Sequence, residues 1–266
     1  MNSDTALCQH IDLIAANTWP SETSTFVEHW LLRASRGVTK RANSVLAING
    51  FPSNDNWLAH IEQFYQSKGL PAAFHVSSAS PEGLDELLAS QGYVLDTPCL
   101  LMIASSQYAA EQTSQRINQR TSNGISTSCS GTADTEWLDA FLALEQLPEE
   151  RRTFYRGLFD RMPDSKGFVK LKQDGQIIAL GTAIVEGNWA GFVNVVVHEN
   201  FRGRGISYLL MDELTKWSIA HGAVQQYLQV ITSNKPAIHL YEKLGYQARF
   251  NYHYRVKNDL PSFASS

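Results

Sequence analysis

Residues 192–210 read FVNVVVHENFRGRGISYLL. Val193, Val195 and Val197 alternate with Phe192, Asn194, Val196 and His198, the period-2 pattern of a strand built from β-branched residues. Arg202-Gly203-Arg204-Gly205 breaks that pattern, and Ile206, Leu209, Leu210 and Leu214 resume it at helical spacing. Glycines at such a junction let the backbone turn sharply and let a ligand approach without meeting a Cβ. The helix behind them opens with N–H groups that have no internal partner, at the positive end of its dipole. A strand, a glycine turn and a helix start in this order make an anion site, and phosphates suit it best. A plain strand-to-helix connection with solvated arginines accounts for the same stretch.

Downstream residues weigh against the plainer account. The run VVVHENFRGRGIS resembles motif A of the GNAT N-acetyltransferase superfamily, in which Arg or Gln is followed, after two intervening residues, by Gly and, after one more intervening residue, by Gly or Ala. Arg202, Gly205 and Ser207 stand at those three positions, Ser207 being a small residue but a departure from the pattern. Asn234 to Tyr246, NKPAIHLYEKLGY, resembles the family's second segment, N-x-x-A-x-x-L-Y-x-x-x-G-Y/F, which closes the acetyl-CoA site. The resemblance covers roughly residues 115 to 258.

Composition bounds the partners. The 266 residues hold 26 acidic against 22 basic side chains, a net charge of −4, so no electrostatic case arises for nucleic acid or an anionic membrane. Cys8, Cys99 and Cys129 show no paired spacing, which argues against a disulfide framework and against a zinc site. The first ten residues carry neither a basic nor an apolar signal-peptide region, and no apolar run reaches spanning length. The expectation is a soluble cytoplasmic protein with no bound metal.

Along the chain, residues 1 to about 35 carry apolar positions at helical spacing, followed by a strand at Val45–Ile48, a helix at Trp57–Tyr65, a strand at Ala72–Val76, a helix after Ser80-Pro81 and a strand at Leu100–Ile103. Ser105 to Asp134, rich in Ser, Thr, Gln and Asn, reads as a linker plus a polar strand around Arg116–Cys129. Two helices, a three-strand meander, and then helix, strand, helix, strand complete the chain, the element order of a GNAT domain. The expected fold class is α/β with a mixed sheet. Residues 1–108 are expected to form a smaller N-terminal unit, 109–134 the linker and first strand, and 115–266 the domain that the resemblance implies is catalytic, with splayed central strands.

A weak internal repeat supports that division. Gly92 and Gly245 lie 153 residues apart, as do Gly69 and Gly222, while Asn43 and Asn194 correspond less closely. The favoured reading is a tandem whose first unit is a degenerate GNAT-like fold. Its NGFPSNDN at residues 49–56 replaces the arginine-glycine loop and should hold no pyrophosphate.

The resemblance implies an acetyl-CoA-dependent N-acetyltransferase acting on a primary amine of a small molecule, amino acid or peptide. Backbone groups of Val195 and Val197 would pair with pantetheine. The N–H groups of Gly203, Arg204, Gly205, Ile206 and Ser207 would hold the pyrophosphate, with Arg202 and Arg204 adding charge. Asn234 would cap its helix beside the cofactor, and Tyr241 would protonate the leaving thiolate. Asn194 and Glu145 are expected on the acceptor side. No side chain on the central strands is a base, since Asn194, Gln225, Gln226 and Gln229 do not take a proton at neutral pH. No cysteine lies near motif A to carry an acetyl group, which favours direct transfer. An idle CoA-binding regulatory protein and a transferase of longer acyl groups stay open as alternatives, and so does a homodimer.

Overall fold

The computed structural model describes residues 3–117 and 123–257. Two compact units emerge, and they do not follow chain order. The first takes the chain up to Leu100 and takes back the run from Phe250, whereas the second holds Leu101–Arg249. This differs from the sequence-based division, which left the last strand in the C-terminal domain and set the boundary at 108.

In the first unit, α1 (Ser3–Thr18) precedes a hairpin of β1 (Thr23–Val27) and β2 (Trp30–Ala34). Helical spacing up to residue 35 thus holds only for its first half. Pro20 follows the helix, and Trp30 and Leu32 alternate onto one sheet face, which is strand periodicity. Next come β3 (Val45–Leu46), α2 (Trp57–Gln66), β4 (Ala72–Ser77), α3 (Leu84–Ser90) and the start of β5 (Val94–Ser105). The strand order is β1-β2-β3-β4-β11, where β11 (Gln247–Lys257) is the last strand among the described residues. It pairs antiparallel with β4, from Tyr252 opposite Ser77 to Lys257 opposite Ala72.

Helices α2 and α3 bury Trp57, Ile61, Leu84 and Leu88 against Trp30, Leu32 and Phe74 of the sheet. Fully burying each such side chain is worth about 1.5–3 kcal/mol. On the same face, Arg255 and His253 of β11 reach Asp85 of α3, at 2.7 Å from Arg255 Nε and 2.7 Å from His253 Nε2. Behind the sheet, Asp12 of α1 is buried, and it accepts a hydrogen bond from Ser77 Oγ at 2.6 Å and at its other oxygen meets His75 Nε2 at 3.2 Å.

The second unit opens with the end of β5 and with α4 (Ser106–Arg116), where a linker was expected. Ser105 caps α4, and its only buried residues are the small Ser106, Ala109 and Thr113. Thr113 donates to the buried Asp212 at 3.0 Å. The polar strand is β6 (Ile125–Ser130); it was expected from about Arg116, but Arg116 ends α4, and 118–122 lie outside the described residues. Then come α5 (Thr135–Leu144), α6 (Arg152–Arg161), β7 (Lys166–Gln173), β8 (Gln176–Glu186), β9 (Trp189–Val197), α7 (Ile206–Ala220), β10 (Gln225–Ile231) and α8 (Lys235–Lys243). The order is β5-β10-β9-β8-β7-β6, antiparallel from β6 to β9, with β10 parallel to β9 through the α7 crossover. An aromatic cluster of Trp137, Phe141, Phe159 and Phe168 packs α5 and α6 on this sheet, with Trp137 5.0 Å from Phe168 between ring centroids.

The repeat is visible in how the helices stop. Gly69, Gly92, Gly222 and Gly245 all adopt positive φ, and each is followed by a residue whose N–H bonds back at 3.0 Å: Leu70 to Tyr65, Tyr93 to Leu88, Ala223 to Ser218 and Tyr246 to Tyr241. These are four copies of the glycine-terminated helix end, which only glycine forms without strain. The Asn43–Asn194 correspondence does not hold. Val45 lies opposite Phe74 and Gly191 opposite Tyr227, so the strands align at a smaller offset than the helices do. Asn43 lies before β3, buried and tying the loop through Ser35, Gly37 and Thr39.

Candidate functional site

The candidate site grows from the way β9 leaves its neighbours. Its pairing with β10 runs from Trp189–Gln225 to Phe192–Leu228 and goes no further, although β9 continues to Val197 and β10 to Ile231. The two strands part at that point. On the β8 side the register shifts between Thr182–Val193 and Leu180–Val196, so two residues of β9 stand opposite Gly181 alone. That is a β-bulge, which bends the strand and re-aims the residues beyond it. Asn194 sits in it at φ +58°, a left-handed position that Asn tolerates better than other side chains. Its Nδ2 donates to the fully buried Thr182 Oγ1 at 3.1 Å. Neither the bulge nor Thr182 was read from the sequence; the one available signal was an Asn interrupting a valine run.

Beyond the bulge, His198 N–H donates to Ile178 O of β8 at 2.8 Å. Backbone direction alternates along a strand, so Val195 and Val197 turn their peptide groups the other way, toward the gap beside β10. The His198 ring accepts from Asn200 N–H at 3.2 Å and so shapes the short turn Glu199–Phe201. Next, Gly203 stands at φ +74° and Gly205 at φ +84°, the latter immediately ahead of α7 and with no side-chain cap. The first N–H groups of this 15-residue helix therefore open onto the loop.

Both arginines have intramolecular contacts. Arg202 Nε donates to Val197 O at 3.1 Å, and the Arg204 guanidinium lies 5.3 Å over the Phe201 ring. Both are exposed, and a guanidinium carries five donors, so these contacts fix the arginines without exhausting them.

On the far side of β10, Asn234 caps α8, its Oδ1 accepting from Ala237 N–H at 3.2 Å. Tyr241 is buried on that helix with its ring 5.9 Å from Tyr246. Tyr246 donates to Gln226 Oε1 at 2.6 Å inside the core, and burial, with Tyr241 adding, pushes its phenol well above the usual range. This Tyr246–Gln226 pair had no sequence signal beyond a polar residue on a core strand.

The chain thus gathers Asn194, Val195, Val197 and Arg202 to Ser207 on one strand-loop-helix, and Asn234 and Tyr241 on the helix after β10. Glu145 is exposed at the end of α5. Its neighbour Glu149 is ion-paired with Arg152, whose guanidinium holds that carboxyl below the usual range. Cys8 is buried, and burial drives its thiol up to about 12. Cys129 is exposed, yet partial burial of its sulfur still raises the thiol to about 11. Among the described residues no group of three or more His, Cys, Asp or Glu is placed to hold a metal, and no helix is long and apolar enough to cross a membrane.

Comparison with known proteins bears on the family and the fold. The family described as "Probable histone acetyltransferase Rv0428c C-terminal" matches residues 5–255. The "Uncharacterized N-acetyltransferase YobR" of Bacillus subtilis (strain 168) is 38% identical over 247 residues, spanning 93% of this chain and 97% of that protein. Among solved structures, a GCN5-related N-acetyltransferase from Kribbella flavida superposes with a TM-score of 0.72 over 97% of this chain and 96% of its own, at 15% identity. A tandem GNAT protein from the clavulanic acid biosynthesis pathway gives 0.66 over 95% and 88%, also at 15%. These last two similarities speak for the fold. With the family match over nearly its whole length, the chain belongs to the GNAT N-acetyltransferases and is an enzyme of that type.

Proposed function

We propose that the second unit uses acetyl-CoA and transfers the acetyl group directly to a primary amine of a small molecule, amino acid or peptide, in the cytoplasm. The observation that carries this reading is the parting of β9 and β10 beyond Phe192 and Leu228, next to a helix whose first amides open onto a glycine loop. The residues fit the donor: a strand with outward-turned peptides at Val195 and Val197, uncapped amides from Gly203 to Ser207, and two exposed arginines to match a diphosphate. Acetyl-CoA supplies the acetyl group as a thioester, whose carbon takes the amine nitrogen while the C–S bond breaks and the thiolate needs a proton.

This chain's part is to orient and to move protons. Tyr241, which stands where the family's tyrosine stands in the Asn234–Tyr246 segment, is assigned to donate a proton at its hydroxyl, and Tyr246 is committed to Gln226. Asn194, held by Thr182 at the bulge, orients the acceptor amine or the water that takes its proton. No carboxylate is assigned as base.

Calorimetry with acetyl-CoA and thiol release over an amine panel test this reading. Wild type binds and turns over. Tyr241→Phe keeps its Kd within about twofold and loses about 10²–10⁴ in kcat, the span of general acid catalysis. Unchanged kcat in that variant removes Tyr241 from the reaction, and saturable binding without turnover on any amine removes the transfer.

A further inference from the structure

The loop between β3 and α2 in the first unit holds the place that the arginine-glycine loop holds in the second. In each unit a strand enters the loop, a helix leaves it, and the next strand returns parallel to the first. Counted back from the helix-ending glycines, which are 153 residues apart, Ser53 and Asn54 fall on Ile206 and Ser207, although α2 is the shorter helix and begins only at Trp57. The amides at Ile206 and Ser207 are among those assigned above to the diphosphate.

Those first-unit amides are already taken. Glu28 Oε1 accepts from Ser53 N–H at 2.7 Å, from Ser53 Oγ at 2.6 Å and from Asn54 N–H at 3.3 Å. Three donors converging on one carboxylate oxygen is how a backbone nest receives an anion. Glu28 stands at the tip of the β1–β2 hairpin at φ +52°, as a two-residue hairpin turn requires, in a region where glutamate is uncommon. The rest of the tip grips the same loop: His29 Nε2 lies 2.7 Å from Gly50 O, and Trp30 Nε1 donates to it at 3.0 Å. The hydrogen bonds from Ser53 also hold the Glu28 carboxyl below its usual range. The loop at 49–56 has Asp55 and neither Lys nor Arg, so around it the charge is negative where the second unit has Arg202 and Arg204.

We propose that Glu28 is a built-in anion filling the first unit's amide nest, which closes that unit to phosphate-bearing ligands and leaves the chain with one acyl-CoA site. The count of one rests on the acetyl-CoA reading above; the filled nest does not. The hairpin tip works as a strap. It replaces the ligand's contribution to ordering the loop, so the first unit needs no cofactor to hold its shape.

Residue-resolved amide exchange and NMR titration on the full chain test this. In wild type, inorganic pyrophosphate and CoA move the amide signals of Gly203–Ser207 and leave Ser53 and Asn54 in place. In Glu28→Ala, exchange at Ser53 and Asn54 speeds up about tenfold, because both amides lose their acceptor. Protection in β2 and α2 stays as in wild type, showing that the unit folds. Glu28→Gln, which keeps an acceptor without the charge, falls between the two. Unchanged exchange in Glu28→Ala, or Ser53 and Asn54 signals moved by pyrophosphate in wild type, overturns the proposal. Silence at Gly203–Ser207 with CoA overturns the acetyl-CoA reading instead, and leaves the exchange result standing.

Discussion

Replacing Gly205 with alanine puts the loop under a strain that must surface in one of two measurements. Gly205 stands at φ +84° and hands the chain into α7, and Gly203 two residues earlier stands at φ +74° with open space where a Cβ would go. An L-residue held in the left-handed region costs about 1–2 kcal/mol. If the loop keeps its shape in Gly205→Ala, that cost appears as lost stability. In a unit of roughly 150 residues it lowers Tm by about 2–8 °C. If the loop instead relaxes to negative φ, stability is spared and the amides of Ile206 and Ser207 swing away. The Kd for acetyl-CoA then rises about 5–30-fold, the same free energy read as binding. Gly203→Ala meets no neighbour and carries only the strain, so it shows the same trade without any clash. Scanning calorimetry and titration calorimetry on the same preparations read both quantities. A Tm and a Kd both unmoved in Gly205→Ala would refute the argument that this turn needs glycine.

The packing sets three further outcomes. Arg255, with His253, holds the Asp85 carboxyl at about 2 against an ordinary 3.8, so its ion pair stabilises the fold above the ordinary value and is lost as pH falls from about 4 to about 2. Discounted for an aspartate about a third exposed, Asp85→Asn costs about 1–2 kcal/mol in urea unfolding at pH 7 and almost nothing at pH 2; an equal cost at both rejects the linkage. Tyr246→Phe leaves Gln226 Oε1 with only Thr215 Oγ1 at 3.4 Å and lowers stability by about 1–3 kcal/mol, and a Tm equal to wild type would show the bond to be dispensable. A Cβ at Gly167 would come within 2.6 Å of the Trp217 ring, so Gly167→Ala costs about 1–3 kcal/mol and shifts Trp217 fluorescence; an unchanged spectrum contradicts it.

The site was more legible than its surroundings. A valine alternation, a glycine turn and an apolar helix stripe are local signals, and β9, the loop and α7 formed where they pointed. The paired glycines gave the helix ends for the same reason, since positive φ is a property of single residues. Helix α4 was hidden because it buries small polar and alanine residues and is held by long-range bonds, from Ser106 N–H to Val224 O and from Thr113 to Asp212. The hairpin was hidden because Phe26 and Trp30, four residues apart, fit a helical stripe although they belong to two strands. The Asn194 bulge and the Glu28 clasp depend on register and on contacts across at least twelve residues of chain, which no local window contains.

β11, made after all the strands of the catalytic unit, completes the first unit and not the second. β11 pairs with β4, and its His253 and Arg255 are the partners of Asp85. During synthesis the N-terminal sheet therefore waits, one edge unsealed, while nearly all of the catalytic unit is made. Trimming from Phe250 onward would leave motif A whole and expose β4, so a short truncation at one extremity would be felt as aggregation from the other.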